Sequence, residues 1–175
     1  MILIISTCKE KFSELEFVNP IKQIVGKATI KQYKEIKELD IKRAEKIIIC
    51  GTALQDNEYL KHLTNFNWLQ TTTKPVLGIC AGSQILALQF QAKLIKKTEI
   101  GIIEVTTVKE NSLCKEIFEV YTIHQNSVTN LHEFEVLAES KDAIHIFKHK
   151  QKPFYGCMFH PEVKNKEIIE KFRAL

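Results

Sequence analysis

Of five cysteines, Cys80 alone stands between two glycines, in the run Lys74-Pro-Val-Leu-Gly-Ile-Cys-Ala-Gly-Ser-Gln-Ile-Leu-Ala87. Val76, Leu77 and Ile79 read as a short buried strand, and Ile85, Leu86, Leu88 and Phe90 as the apolar part of a helix that begins directly after it. Gly78-Ile79-Cys80-Ala81-Gly82 then has the glycine-x-nucleophile-x-glycine form of a sharp strand-to-helix turn. Such a turn lifts the side chain out of the sheet and sets it at a helix N-terminus, which favours a thiolate. It also aims the next backbone N–H at a developing oxyanion. Cys8, Cys50, Cys114 and Cys157 lie in or beside apolar or mixed segments without paired glycines, the usual setting of a small buried hydrophobe.

A thiol nucleophile needs a base. Pro153-Phe-Tyr-Gly-Cys-Met-Phe-His160-Pro161-Glu162-Val163 reads as an apolar strand that stops at His-Pro-Glu. Proline lacks a backbone N–H and fixes φ, so an inner strand cannot run through Pro161. A histidine is thereby held at a strand end with a carboxylate two residues on. The imidazole can take and return a proton while the carboxylate orients it and stabilises imidazolium.

These two motifs resemble those of the class I (triad-type) glutamine amidotransferases. The family's G-[IV]-C-x-G-x-Q pattern is matched by Gly78, Ile79, Cys80, Gly82 and Gln84, and its F-H-P-E pattern by Phe159, His160, Pro161 and Glu162. Order and separation agree as well. The resemblance implies that Cys80 attacks the side-chain amide of L-glutamine and forms a γ-glutamyl thioester. His160 would protonate the departing ammonia and then activate water, and Glu162 would hold His160. Gln84 would hydrogen-bond the bound glutamine, and no metal or other cofactor is implied. The Ala81 N–H and one N–H from the loop Cys50-Gly51-Thr52-Ala53 would meet the oxyanion.

That loop departs from the family's S-G-G-P. Thr52 disfavours the positive φ that a second glycine allows, so an oxyanion hole through Gly51 and Thr52 is expected to be formed differently or to be completed on docking. Gln91-Ala92 stands where Gly-Gly often follows the nucleophile helix, and Met158 where Gln commonly precedes Phe-His-Pro-Glu. A third segment, Tyr121-Thr-Ile-His124-Gln125-Asn126, falls where relatives carry a substrate-clamping loop. It is most similar to the Ser-His-x-Asp of the GMP synthetase glutaminases, with an amide in place of the acid. Gln125 and Asn126 are the implied backbone contacts to the glutamine α-groups. The implied partner is a separate synthetase subunit that receives ammonia, of the ATP-pyrophosphatase type if the product is GMP.

Positioning these groups requires short buried strands alternating with helices. Ile2–Ile5, Lys46–Ile49, Pro75–Ile79 and Phe154–Phe159 are the strand candidates; residues 20–25, 54–66, 83–91 and 164–175 are the helix candidates. That order predicts an α/β fold, flavodoxin-like, with a mostly parallel sheet covered by helices on both faces. Val/Ile/Thr-rich pieces at 100–108, 120–123, 134–137 and 143–147 add antiparallel strands. No linker or repeat interrupts the 175 residues, so a single domain over 1–175 is expected.

Composition is that of an ordinary globular chain: 45% hydrophobic, 26% charged, net charge +4, mean hydropathy −0.12. No apolar run has the length of a membrane span, and Met1-Ile-Leu-Ile-Ile reads as a first strand rather than a signal peptide. An odd number of cysteines without C-x-x-C argues against a disulfide framework or zinc site and fits a reducing cytoplasm. The lysines are dispersed and not interleaved with aromatics, which speaks against a nucleic-acid groove. The groups 42–43, 96–97 and 148–152 are the densest basic ones, and solvated faces are the ordinary reading beside a docking surface for an acidic partner.

Two other function classes fit part of this pattern. A thiol hydrolase of γ-glutamyl amides would work without a synthetase. A non-catalytic regulatory module would retain the fold and lose the oxyanion loop. Replacing Cys80 with Ala should abolish ammonia release from glutamine, while the other four cysteines should be dispensable; undiminished release from the Cys80→Ala protein would refute the assignment.

Overall fold

The computed structural model describes all 175 residues. In chain order the elements are β1 (Ile2–Ser6), α1 (Glu14–Phe17), α2 (Asn19–Val25), β2 (Ala28–Gln32), α3 (Glu38–Arg43), β3 (Lys46–Ile49), a 3-10 segment (Glu58–Gln70), β4 (Val76–Ile79), α4 (Ala81–Gln89), β5 (Lys93–Thr107), β6 (Ile117–Thr129), β7 (Phe134–Glu139), β8 (Ile144–His149), β9 (Phe154–Cys157) and α5 (Lys166–Ala174). The nine strands form one sheet in the order β2-β1-β3-β4-β9-β8-β7-β5-β6. The first five in that order pair in parallel and the rest antiparallel. The α/β architecture is the expected one.

Alternation along the inner strands divides the core between the two faces of the sheet. Ile2, Ile4, Ile48 and Leu77 pack with Ile21 and Val25 of α2 and Ile168, Ile169 and Phe172 of α5. Leu3, Ile5, Ile47, Ile49 and Val76 pack with Ile41 of α3, Phe66 and Leu69 of the 3-10 segment, and Ile85 and Leu86 of α4. Each strand is apolar on both sides, as a parallel strand between two helical layers must be.

Several boundaries differ from the sequence expectation. The helix expected at 54–66 is a 3-10 segment starting at Glu58, with His62 out of helical geometry at φ −125°, ψ 31°. Asp56 accepts from the Glu58 N–H at 3.1 Å, so the chain turns before the segment begins. The β2 strand and α3 lie in the stretch whose apolar residues are too sparse to read; every β2 residue is half-buried at the sheet edge. At the end of α4, Gln91 itself takes the left-handed conformation (φ 64°) that a glycine would reach without strain. Met158 is fully buried, with its sulfur packed 3.0 Å from the Ser83 hydroxyl oxygen.

The basic cluster at 148–152 is not a free cationic surface. Lys152 Nζ donates to the carbonyls of Leu69, Gln70 and Thr72 at 2.6–3.1 Å, and Lys150 Nζ to that of His132 at 2.6 Å. No helix is long and apolar enough to cross a membrane.

The close approach of α4 to the sheet is what presents Cys80. A Cβ at Gly82 would lie 2.1 Å from the Ile49 carbonyl oxygen, and one at Gly78 would lie 2.5 Å from the Gly82 oxygen. Gly82→Ala should therefore destabilise the fold by about 1–3 kcal/mol or more. Urea unfolding should show a lower midpoint with an unchanged slope.

Candidate active site

Cys80 occupies the first position after β4 with φ 48°, ψ −106°, a conformation a residue with a side chain seldom adopts. Neighbouring chain segments hold it there. Its N–H donates to the Cys157 carbonyl of β9 at 2.7 Å, and its own carbonyl accepts from the Ser83 hydroxyl at 2.7 Å and the Gln84 N–H at 3.1 Å. Its thiol faces the Ile123 carbonyl of β6 at 3.8 Å.

His160 is reached just beyond β9, where its N–H donates to the Tyr121 carbonyl at 2.9 Å. Its Nδ1 lies 2.7 Å from Glu162 Oε1, and the Phe17 ring packs on it with centroids 5.4 Å apart. The ring and the carboxylate are buried, and Nε2 has no oxygen or nitrogen partner. Burial opposes a charge on this ring, but the Cys80 sulfur beside it and the Glu162 carboxylate outweigh that and push its pKa up to about 10. The structure thus brings Cys80, His160 and Glu162 together as one group with the geometry of a nucleophile, a proton carrier and its orienting acid.

The other thiols are of a different kind. Burial pushes the Cys8, Cys50 and Cys157 thiols above the ordinary range, which leaves them inert. Cys114 is half-buried against Asn111 and Thr107. No group of three or more His, Cys, Asp or Glu side chains is arranged to hold a metal.

Gly51 explains itself by sterics. A Cβ there would lie 2.7 Å from His160 Cε1 and 3.2 Å from Cys80 Cβ. Neither Gly51 nor Thr52 has positive φ, so the threonine is accommodated without backbone strain. The Gly51 carbonyl accepts from the Thr7 hydroxyl at 3.1 Å, and Cys8 Sγ lies 3.8 Å from it. Across a planar trans peptide the Thr52 N–H points the opposite way, away from Thr7. It makes no hydrogen bond to protein, and neither does the Ala81 N–H at the start of α4.

The remaining predicted residues line the same pocket. Gln84 is buried, with Oε1 accepting from the Tyr59 hydroxyl at 2.6 Å and Nε2 donating to the Asn126 carbonyl at 3.3 Å. Gln125 Nε2 donates to the Leu54 carbonyl at 2.5 Å, and Asn126 Nδ2 to Asn57 Oδ1 at 3.3 Å. These bonds draw β6 against the loop after β3. The cavity they leave, about 20 Å³, has room for one water. Sequence reading missed the opposite wall, Leu54, Asp56, Asn57 and Tyr59, because nothing in the spacing of these residues distinguishes them.

The chain matches the family described as glutamine amidotransferase class-I over residues 18–172. It belongs to that family. A glutamine-hydrolyzing GMP synthase subunit of Methanosphaera stadtmanae is 40% identical over 112 residues, which cover 58% of this chain and 60% of that one. Its counterpart in Methanocaldococcus jannaschii is 38% identical over 109 residues, 56% of this chain and 58% of its own. The matched stretch thus spans about three fifths of the length of these two relatives. The counterpart in Pyrococcus furiosus is 30% identical over 144 residues, 75% of this chain and 73% of that one. Among solved structures, a protein from Thermoplasma acidophilum described as a GMP synthase subunit has the same fold, with a TM-score of 0.86, 23% identity, and coverage of 99% of this chain and 92% of that one.

One cluster beside the site joins His124 of the clamping segment to Glu99 and His145, two residues outside the motifs. A shift in register between Lys96 and Glu99 sets Glu99 opposite His124, and Glu99 Oε2 lies 3.1 Å from His124 Nε2 and 3.6 Å from His145 Nε2. All three are buried. Burial pushes both histidines down to about 4 and the Glu99 carboxyl up. A histidine with a folded pKa below its unfolded 6.5 takes its proton more readily in the unfolded chain. Its contribution is therefore intact above pH 6.5 and is lost as pH falls toward 4, with Glu99 offsetting part of the loss. Urea unfolding at pH 7, 5.5 and 4.5 should show falling stability, and His145→Gln should flatten that decline.

Proposed function

We propose that this chain is a glutaminase of one domain, residues 1–175, that hydrolyses the side-chain amide of L-glutamine and hands the ammonia to a separate synthetase. The observation that carries this reading is the Cys80–His160–Glu162 group at the head of α4, within a chain of the class-I family. In this reading Cys80 attacks the amide carbon, and the oxyanion is met by the free Thr52 and Ala81 N–H groups on either side of Gly51 and Cys80. The charged His160 gives its proton to the leaving ammonia, breaking the C–N bond and leaving a γ-glutamyl thioester. Neutral His160 then takes a proton from water as the water attacks, and glutamate leaves with the thiol restored. Glu162 keeps Nδ1 occupied so that Nε2 alone exchanges the proton.

Three of the relatives are GMP synthase subunits, which supports an ATP-pyrophosphatase type of synthetase and GMP as the product of the pair. An apolar strip on the ribbon of β5 and β6 supports a partner surface beside the site: Ile100, Ile102 and Ile117 are each more than half exposed. A cytoplasmic location fits a free thiol nucleophile.

The narrow pocket supports idling of the isolated chain. The Gln125 and Asn126 side chains of β6 reach across the pocket to the Leu54 carbonyl and Asn57, so releasing these two bonds would widen it for substrate. Intact-mass measurement after mixing with glutamine tests the reading: a Cys80 acyl adduct should form readily with the synthetase and slowly without it. Gln125→Ala should raise the rate without partner several-fold. Full adduct formation by the isolated chain would favour a partner-independent hydrolase, and no adduct under either condition a non-catalytic module.

A further inference from the structure

L-Glutamine carries its α-ammonium group on a carbon two methylenes away from the side-chain amide, and drying that charge without acceptors is costly. Among the side chains lining the pocket, the carboxylate of Asp56 is the only acid, and no lysine or arginine is present. Asn126, at the position of the acid in the similar clamping loops, brings a neutral amide whose Nδ2 is already used on Asn57.

Asp56 accepts three hydrogen bonds and belongs to no ion pair. Its Oδ2 accepts from the Thr52 hydroxyl at 2.6 Å and the Lys9 N–H at 2.8 Å, and its Oδ1 from the Glu58 N–H at 3.1 Å. A carboxylate has about four acceptor positions, so one on Oδ1 stays open. Through Thr52 the group is one residue from Gly51, which touches both Cys80 and His160. It therefore lines the pocket on the side opposite the Gln125 and Asn126 side chains of β6.

We propose that Asp56 receives the α-ammonium group of the substrate and so restricts the site to α-amino acid amides. This rests on the reading that the pocket binds L-glutamine. A charge-assisted bond to a carboxylate already oriented by three donors would select strongly against an amide of the same length lacking the amino group.

Ammonia release from L-glutamine and from 4-carbamoylbutanoate, its des-amino counterpart, by the full chain and its Asp56→Asn variant tests the proposal. The wild type should prefer glutamine at least tenfold in kcat/KM. Asp56→Asn should lose at least tenfold on glutamine, mainly through KM, while changing less than twofold on 4-carbamoylbutanoate. The same comparison of dissociation constants in a Cys80→Ala background gives a measure independent of turnover. Equal losses on both compounds would show a merely structural role and overturn the proposal, as would a preference that survives in Asp56→Asn. Ammonia from neither compound with the wild type, with no acyl adduct on Cys80, would instead overturn the glutaminase reading and the proposal with it.

Discussion

Everything at this site depends on how closely the helix after the nucleophile approaches the sheet. The Gly82 backbone lies so near the Ile49 carbonyl that no side chain fits, and Gly78 is pressed in turn by Gly82. Only at that separation can one residue, Cys80, make the whole turn from β4 to α4, and it does so with φ 48°. The strain is held by bonds from β9 and from Ser83. In return the thiol stands clear of the sheet with the Ala81 N–H beside it, and the loop carrying Gly51 is brought against both Cys80 and His160.

The pocket has one built wall and one adjustable wall. Thr7 clamps the Gly51 carbonyl, and Asp56 ties Thr52, Lys9 and Glu58 into a single unit. Facing it, β6 belongs to a long ribbon at the sheet edge and reaches across through the Gln125 and Asn126 side chains. Two side-chain bonds are far easier to exchange than a packed strand, so β6 is the adjustable side of the pocket.

The two histidine–carboxylate contacts show how surroundings decide charge. His160 and His124 are both buried and both within 3.1 Å of a glutamate oxygen. His160 has a close, well-aligned carboxylate and a sulfur beside it, and it is pushed up to about 10. His124 shares Glu99 with a second imidazole, burial drives that carboxyl toward its neutral form, and His124 falls to about 4. The surroundings drive one ring toward its charged form and the other toward its neutral form.

The nucleophile turn, the His-Pro-Glu stop and the parallel core strands were legible in the sequence because each is a local constraint. A glycine two residues either side of Cys80, a proline after His160, and unbroken apolar runs such as Ile47-Ile48-Ile49 restrict the backbone wherever they occur. Thr52 was expected to alter the loop because it disfavours a positive φ, yet no positive φ is needed there, and the close packing that demands glycine is at Gly51, where a distant histidine ring occupies the space. Asp56, Asn57 and Tyr59, the pairing of Glu99 with His124 and His145, and the narrow pocket were not legible. Each arises from side chains far apart in the chain, joined by a sheet register and by loops whose polar residues carry no periodic signal. The sequence by itself determined which atoms can do the chemistry; the tertiary structure decided which of them are charged, what holds them and whether substrate can reach them, because those properties depend on contacts made across the fold.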